Sequence, residues 1–427
     1  MSPLRTAAAV VSSVSLLLAA CQPAPQAAPT APPAAAPPTT APAASPPASP
    51  AVVASPAASP AASPAASPAA SPAASPAASP AASPAASPAA SPAASPVAAA
   101  ATGAPDPGCP NDPSPGGKQL RVGLVTDVGK VDDRSFNQSA WEGVQCAQKN
   151  LGFTDIKFIE TQQSTDYAAN IDQFVQDGYD VIVTVGFLLG PATVAAAQAN
   201  PNIKFIGVDQ AQDTTVPNLA GLTFQEDKSG YLAGYLAGLL NKSGTVGEVL
   251  GLSNVPAVER YGVGYINGAK AAKPDIKVLA ACASSFTDTV WGNTTANQMM
   301  SQNADVIFAA AGLTGNGALL AVADKGAPNL GIGVDTDQWL SLPEAQKSIV
   351  SSAMKLIVPG TYKLIKAAQA GSFQGGNFVG DVGLAPFHNE GQVPADVQTK
   401  MGQLSADVAS GKTPTGFTTP TGNCPQG

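Results

Sequence analysis

Apolar, β-branched runs alternate with helical repeats along the chain from residue 118 onward. The predicted strands are 121–126, 156–159, 181–185, 205–208, 219–224, 246–251, 278–282, 306–310, 331–334 and 349–354. After the first strand, Ala140, Val144, Ala147 and Leu151 recur at the spacing of one helical face. Further helices are predicted over 167–177, 191–199, 230–240, 261–273, 293–303 and 361–370. This alternation predicts an α/β fold with parallel sheets covered by helices on both faces.

The strand–helix pattern occurs twice, from 120 to about 226 and again from about 246. Two similar α/β lobes with a cleft between them follow from this repetition. Several predicted strands end in acidic or Gly-rich loops, such as Thr126-Asp127, Val208-Asp209 and Val334-Asp335. Because the carboxyl ends of parallel strands line the binding crevice, each lobe is expected to give the cleft a polar rim.

The segment 126–141 directly follows the first predicted strand. It offers the carboxylates of Asp127, Asp132 and Asp133, the ring of Phe136 and the amide of Asn137. Such a set suits a flat polar ligand, whereas the acidic groups would repel a phosphate. For Asp132 and Asp133 the favoured interpretation is the start of a helix, whose dipole they complement, and ligand binding is the alternative.

The first residues have the pattern of a secretory signal. Arg5 precedes a short apolar core that ends in Leu18-Ala19-Ala20-Cys21, which predicts a signal peptide over 1–20. The core is shorter than the ~20 apolar residues of a membrane-spanning helix. Cys21 after Leu-Ala-Ala resembles a bacterial lipobox, which implies lipid attachment at Cys21. The alternative is an ordinary signal peptide with an incidental cysteine.

Residues 21–117 consist mostly of Pro, Ala, Ser and Thr, with a tandem Ala-Ala-Ser-Pro repeat between roughly 51 and 96. A proline at every fourth residue disfavours helix, and no large side chains are available for burial. We therefore expect a disordered spacer with polyproline II bias, attached to the membrane through the lipid on Cys21.

Charge and cysteine content narrow the classes of partner. The net charge of −8 argues against nucleic acid as a partner. Four cysteines remain besides Cys21 and allow three pairings. Cys109 and Cys424 flank the globular part, so a disulfide between them is predicted, with free thiols as the alternative. One histidine, His388, and the absence of a CxxC motif argue against a metal site, and no cofactor is predicted.

Several segments taken in order resemble the basic membrane protein family. They are TDVGKVDDRSFNQSAWEG (126–143), DVIVTVGFLL (180–189), FIGVD (205–209), AAAGLTGNG (309–317), GVDTDQ (333–338) and SSAMK (351–355). This family comprises purine-nucleoside-receptor lipoproteins of ABC transporters. The resemblance implies a type I periplasmic-binding fold of two Rossmann-like lobes and no catalysis. We expect one lobe over 118–226 with about 357–378, and the other over 227–356 with about 379–420.

The resemblance also implies a ligand site. In the family a base lies between two aromatic rings and bonds to Asp and Asn, while Asp and Lys hold the ribose. The matching residues here are Asp127, Phe136, Asn137 and Asp209 in the first lobe, and Phe308, Gly312, Asp335 and Lys355 in the second. Phe308 takes the second stacking position. Leu313 stands where relatives often have glycine.

Structural roles compete with these assignments. Phe136 and Phe308 are also compatible with core packing, Asn137 with a helix cap and Asp209 with a turn. Ser135 and Gln138 have the spacing of a capping box. Further alternatives concern residues outside the set: Asp337 is a weaker candidate, Tyr261, Trp291 and Trp339 are assigned to packing or the surface, and GLTGNG is interpreted as a tight turn at the cleft.

The expected function is that of a lipid-anchored, monomeric substrate-binding protein on the extracytoplasmic face of the cell membrane. It would capture a nucleoside, with purine nucleosides expected, and deliver it to an ABC permease. One alternative is a nucleoside- or sugar-sensing receptor with the same fold. Another is a nucleoside-cleaving enzyme, which the lack of a histidine near the cleft motifs disfavours.

Overall fold

The computed structural model describes residues 108–388 and 391–427. The predicted signal peptide, Cys21 and the spacer as far as residue 107 lie outside these residues. Within the described part of the chain, no helix is both long and apolar enough to cross a membrane.

Two six-stranded sheets form the framework. In chain order the strands are β1 (Arg121–Val128), β2 (Asp155–Thr161), β3 (Val181–Val185), β4 (Lys204–Val208), β5 (Leu219–Phe224), β6 (Thr245–Leu250), β7 (Lys277–Cys282), β8 (Ala304–Ala310), β9 (Leu330–Asp335), β10 (Ile349–Lys355), β11 (Gly376–Gly380) and β12 (Val382–Leu384). The strand order is β11-β5-β4-β3-β1-β2 in one sheet and β12-β10-β9-β8-β6-β7 in the other. The β10–β12 pair is antiparallel, and the other described pairs are parallel. The predicted α/β fold of two lobes is confirmed.

Helices cover both sheets. They are α1 (Phe136–Leu151), α2 (Tyr167–Gln176), α3 (Gly190–Ala199), α4 (Glu226–Leu240), α5 (Pro256–Ala272), α6 (Thr289–Ser301), α7 (Gly312–Lys325), α8 (Gln338–Ser341), α9 (Ile357–Gln369) and α10 (Ala395–Ala409). We call the first sheet with its helices lobe 1 and the second sheet with its helices lobe 2.

Side chains alternate across each sheet and place a core on both faces. In β1, Leu124 packs in the cluster that contains α1 and α9 residues such as Val144 and Ile365. Its neighbour Val125 belongs to the opposite cluster, with Ile171 and Phe174 of α2. Because successive strand residues point to opposite faces, an uninterrupted apolar run in a strand supplies both cores.

The GLTGNG segment, for which the sequence predicts a tight turn, instead begins α7. Its glycines permit close helix packing. A Cβ on Gly317 would meet the Thr289 backbone oxygen at 2.1 Å, and one on Gly292 of α6 would meet the Thr314 oxygen at 1.8 Å. Only Gly312 in the segment has a positive φ, at 56°.

The chain passes between the lobes at three described points. It leaves lobe 1 between β5 and α4, returns between β10 and α9, and crosses again between β11 and β12. Glu226 begins α4 at the first crossing, and Lys355 ends β10 at the second. The Leu356 backbone N–H donates to the Asp381 oxygen at 2.9 Å and joins the second crossing to the third.

The predicted Cys109–Cys424 disulfide is wrong. The structure pairs Cys109 with Cys146 and Cys282 with Cys424. Cys146 lies on α1, where the N-terminal segment packs against lobe 1. Cys282 ends β7, where the C-terminal tail packs against lobe 2. Each end of the described chain is therefore tied to its own lobe rather than to the other end.

Candidate functional site

A cleft between the lobes is lined by the carboxyl ends of strands from both sheets. Lobe 1 supplies Asp127, Val128, Gly186, Phe187 and Asp209, and lobe 2 supplies Ala310, Ala311, Gly312, Leu313, Val334, Asp335 and Lys355. Seven of the eight residues expected at the site line this cleft; Phe308 does not. Parallel strands end here, so their backbone groups and short loops face the cavity.

Asp133 organises the loop that leads into α1. Its carboxylate accepts hydrogen bonds from the backbone N–H groups of Ser135 (3.0 Å), Asn137 (3.0 Å) and Gln138 (3.1 Å). It also accepts from Asn137 Nδ2 at 3.1 Å. Ser135 makes no side-chain cap, so the expected capping box is wrong and Asp133 performs that role. Burial raises the pKa of Asp133 to about 6, against the effect of these donors.

Asp127 is the next-to-last residue of β1 and lines the cleft. Its Oδ1 accepts from the Tyr167 hydroxyl and from its neighbour Val128 N–H, the latter at 2.6 Å. Burial raises the pKa of Asp127, although both donors favour the charged form. The tyrosine thereby fixes the orientation of a carboxyl that lies at the cavity wall.

Lys355 connects the two lobes electrostatically. Its Nζ lies 2.7 Å from Asp209 Oδ2 of lobe 1, 3.4 Å from Asp335 Oδ1 of lobe 2 and 3.9 Å from Glu226 Oε1 at the first crossing. Burial alone would lower the pKa of Lys355, but these three carboxylates raise it above its usual value. The ammonium group therefore stays charged.

Three carboxylates share this one ammonium, so they are not equally compensated. Glu226 is the farthest from Lys355, and its second oxygen lies 3.3 Å from Arg260 Nη1. Burial, followed by the charge of Asp209, raises the pKa of Glu226 to about 7. Glu226 is therefore the member of the cluster that takes up a proton near neutral pH.

The two acids on either side of Lys355 share an unusual backbone conformation. Asp209 has φ 60° and Asp335 has φ 65°, which is the left-handed region. Asp209 directly follows β4, and Asp335 is the last residue of β9; each of these strands is the third in its sheet. Strained residues of this kind cluster at ligand sites and persist only where the surrounding structure holds them.

Aromatic rings surround the same ammonium group. The Lys355 Nζ lies 4.5 Å from the centroid of the Phe136 ring and 5.6 Å from that of Tyr261. The Tyr261 hydroxyl donates to Asp335 Oδ1 at 3.3 Å and contacts the Ala353 oxygen at 3.2 Å. Phe136 and Tyr261 therefore form the inner end of the cleft around Lys355.

Phe308 is not in the cleft. Its side chain is 0 % exposed and stacks on Tyr265, with ring centroids 5.1 Å apart and planes inclined by 17°. Phe308 sits in the middle of β8, and its side chain points into the lobe 2 core. The structure therefore contradicts its expected place as the second stacking ring.

Sequence reasoning also missed residues that the structure brings to the site. Tyr261, assigned to packing, lines the cleft, as do Phe187 and Phe286. Tyr261 lies on a buried helix face, and a buried tyrosine usually bonds a polar partner, which is the one clue in the sequence. Phe286 lies in an irregular loop after β7, where no periodicity indicates its direction.

Asp337 and Trp339 lie outside the cleft lining. Asp337 Oδ2 is 2.5 Å from His388 Nε2, and the His388 ring stacks on Trp339 with centroids 4.2 Å apart. Asp337 also accepts from the Trp339 N–H at the start of α8. Within residues 108–388 and 391–427, no cluster of three or more His, Cys, Asp or Glu is placed to hold a metal ion.

Two similar, mostly parallel sheets, three chain crossings and a cleft at the strand ends are the architecture of a two-lobed solute-binding protein. Residues 120–384 match the family model described as "Bmp: ABC transporter substrate-binding protein PnrA-like". The chain belongs to this family of ABC transporter substrate-binding proteins.

Curated relatives agree with this assignment. A "CD4+ T-cell-stimulating antigen" of Listeria monocytogenes is 31% identical over 315 residues, which cover 69% of this chain and 87% of the relative. The "ABC transporter nucleoside-binding protein BmpA" of Lactococcus lactis is 36% identical over 231 residues, covering 51% of this chain and 64% of the relative.

Solved structures show the same fold. A solute-binding protein of an ABC transporter system from Aeropyrum pernix has a TM-score of 0.64 at 26% identity, over 71% of this chain and 94% of its own. One from Conexibacter woesei has a TM-score of 0.56 at 24% identity, over 69% and 97%. The matched family model and the Lactococcus lactis relative are both described as binding proteins.

Proposed function

We propose that this protein captures a nucleoside, preferably a purine nucleoside, in the cleft between its lobes and delivers it to an ABC permease. The proposed ligand contacts are Asp127, Phe136, Asn137, Asp209, Gly312, Asp335 and Lys355, joined by Phe286 in place of Phe308. The Lactococcus lactis relative, whose name states nucleoside binding, supports this class of ligand.

The observation that carries the proposal is the presence of two buried acceptors without a donor. Asn137 Oδ1 and Asp209 Oδ1 are buried in the cleft wall and have no hydrogen-bond partner among the described residues. A buried acceptor left unpaired costs about 1–3 kcal/mol. A ligand that supplies donors at both points removes that cost. Base N–H groups and ribose hydroxyls are donors of this kind.

The cleft also offers flat apolar surface. Phe136 of lobe 1 and Phe286 of lobe 2 both line it and both keep part of their surface exposed. Stacking on a base contributes about 1–3 kcal/mol per ring. A purine between two such rings gains from its faces while its edges reach the carboxylates and the amide.

The charge of the lining disfavours phosphorylated ligands. Its carboxylates belong to Asp127, Asp133, Asp209 and Asp335, and its ammonium groups to Lys130 and Lys355. Lys355 already contacts acids, and Lys130 lies 3.1 Å from Glu160. A phosphate would meet uncompensated carboxylates, so nucleosides are expected to bind and their monophosphates are not.

The cellular setting completes the proposal. A lipid on Cys21 would hold the protein on the extracytoplasmic face of the cell membrane, with residues 22–117 as the spacer between lipid and lobes. The protein would act as a monomer that presents its closed lobes to the permease.

Isothermal titration calorimetry with inosine, guanosine, adenosine, their monophosphates and a set of pentoses and hexoses tests the proposal. We expect saturable binding of at least one purine nucleoside and no binding of monophosphates. Asp209→Asn should weaken binding, whereas Asp213→Asn, at an exposed position, should not. Binding of a sugar without binding of any nucleoside would defeat the ligand assignment, and release of free base would contradict a pure binding function.

A further inference from the structure

A second set of contacts joins the lobes and is made by lobe 2 side chains that do not line the ligand cleft. Asn316 Nδ2 of α7 donates to the Asp133 backbone oxygen at 2.8 Å. The Ser341 hydroxyl of α8 donates to the Arg134 backbone oxygen at 2.6 Å, and Gln338 Nε2 reaches the same oxygen at 3.4 Å. We call Asn316, Gln338 and Ser341, with the two carbonyl groups they bond, the latch.

The lobe 2 side of the latch is held rigidly. Gln338 Nε2 donates to Asn316 Oδ1 at 2.9 Å, and Gln338 Oε1 accepts from the Val334 N–H at 2.9 Å. The Gln338 N–H donates to the Ser352 hydroxyl at 3.1 Å. Asn316 is 4 % exposed and Gln338 is 1 % exposed. These side chains keep their orientation through contacts within lobe 2, and none of them lines the cleft.

The lobe 1 side of the latch is the loop that positions two proposed ligand contacts. Arg134 has φ 62°, a conformation that a residue with a side chain seldom adopts. The next residues are Ser135, Phe136 and Asn137, and the Asp133 carboxylate holds the Asn137 N–H. The backbone carbonyl groups of Asp133 and Arg134, which accept hydrogen bonds from lobe 2, therefore belong to the turn that directs Phe136 and Asn137 into the cleft.

We propose that the latch couples lobe closure to the arrangement of the ligand site. Its bonds exist only when the lobes are together, so they favour the closed state over the open one. They also fix the strained turn at Arg134 and thereby place Phe136 and Asn137. Asn316, Gln338 and Ser341 are positioning residues that raise ligand affinity without touching the ligand. The affinity part of this inference rests on the proposed function, and the closure part does not.

Distance measurement between the lobes tests the closure part. Spin labels on Asp172→Cys in lobe 1 and Lys325→Cys in lobe 2, both exposed positions, report the separation by pulsed electron paramagnetic resonance. Ser341→Ala and Ser341→Ala/Asn316→Ala should shift the distribution toward longer distances. The matched controls are Ser301→Ala and Asn297→Ala, whose side-chain bonds stay within α6. Distributions identical to the parent, with and without ligand, would overturn the proposal.

Ligand titration tests the affinity part. For the nucleoside that binds the parent most tightly, Ser341→Ala should weaken affinity roughly 3- to 10-fold, the equivalent of one hydrogen bond, mainly through faster dissociation. The double variant should lose more. Longer interlobe distances with unchanged affinity would overturn the coupling to Phe136 and Asn137. If the parent binds no nucleoside, the proposed function fails, while the distance measurement still decides whether the latch closes the lobes. Melting temperatures close to those of the controls verify that the variants fold.

Discussion

The two lobes have the same strand order, yet equivalent strand ends carry different chemistry. Asp127 is the next-to-last residue of β1 in lobe 1, whereas the last two residues of its counterpart β6, Val249 and Leu250, are apolar. β4 and β9 both lead to an acid, Asp209 and Asp335. β5 ends at Phe224, whereas β10 ends at Lys355. Lobe 1 therefore contributes more acid, and lobe 2 contributes the buried cation.

This difference indicates a division of roles between the lobes. Among the described residues that line the cleft, the two buried acceptors without a partner, Asn137 Oδ1 and Asp209 Oδ1, both belong to lobe 1. The charged groups of lobe 2 in the cleft, Asp335 and Lys355, already bond to protein. In the proposed function, the acceptors of lobe 1 select a ligand that carries hydrogen-bond donors. Lobe 2 covers the ligand, and its Lys355 compensates the negative charge of Asp209 across the cleft.

Removal of the Lys355 ammonium group should have the largest effect on the free energy of unfolding. Lys355→Ala leaves Asp209, Asp335 and Glu226 buried without an ammonium partner. Truncation of one member of a buried ion pair typically costs about 3–5 kcal/mol, so the free energy of unfolding should fall by that order. Chemical denaturation measures it. Lys130→Ala, which removes an exposed lysine, should change stability by less than ~0.5 kcal/mol. An equal effect of both substitutions would contradict the special role of Lys355.

The two phenylalanines of lobe 2 separate packing from ligand contact. Phe308→Ala empties a core position and should cost about 3–5 kcal/mol of stability. Phe286→Ala removes a half-buried ring from the cleft wall and should cost about 1–3 kcal/mol of nucleoside affinity. Denaturation and calorimetry on the same two variants distinguish these effects. If Phe308→Ala folded normally and lost affinity, the assignment of the rings would be reversed.

A smaller effect is expected from pH. The folded state raises the pKa of Glu226 from 4.5 to about 7, so it holds a proton that the unfolded chain releases. The contribution of Glu226 to the free energy of unfolding is therefore complete below pH 4.5 and is lost as the pH rises to about 7. Its size is on the order of 1–3 kcal/mol. Glu226→Gln should flatten that part of the stability profile. Arg260 borders the same carboxyl, so Arg260→Gln should steepen it.

Much of the architecture is predictable from apolar runs and helical spacing. The strands β1 to β10 occur near their predicted positions. Most are buried on both faces and leave a continuous apolar run, whereas the edge strands β2 and β7 are partly exposed and keep shorter apolar runs. β11 and β12 were not predicted. β11, Gly-Asn-Phe-Val-Gly, is an edge strand with partly exposed residues, and β12 has three residues. The polar helix α10, with only Val397, Met401 and Val408 buried, likewise lacks a clear apolar face.

The site was predictable where a residue ends a strand and less so elsewhere. Asp127, Asp209, Asp335 and Lys355 lie at strand ends, and the position of a strand end follows from the sequence pattern. Phe308 lies within a strand, and a sequence pattern does not specify which face of a buried strand meets the cavity. The disulfide pairing depended on the paths of both tails over the lobes, which no local pattern records.

The two disulfides have a mechanical consequence. The Cys109–Cys146 disulfide attaches the N-terminal segment of the described chain to α1. Lys366 of α9 donates a further hydrogen bond to Asp112 in the same segment. Tension on that segment therefore enters the body of lobe 1 and bypasses the crossings at Glu226 and Lys355. Cys282–Cys424 keeps the other tail on lobe 2. If the protein is held by its N-terminal end, the point of attachment is therefore lobe 1, and lobe 2 can still move relative to it.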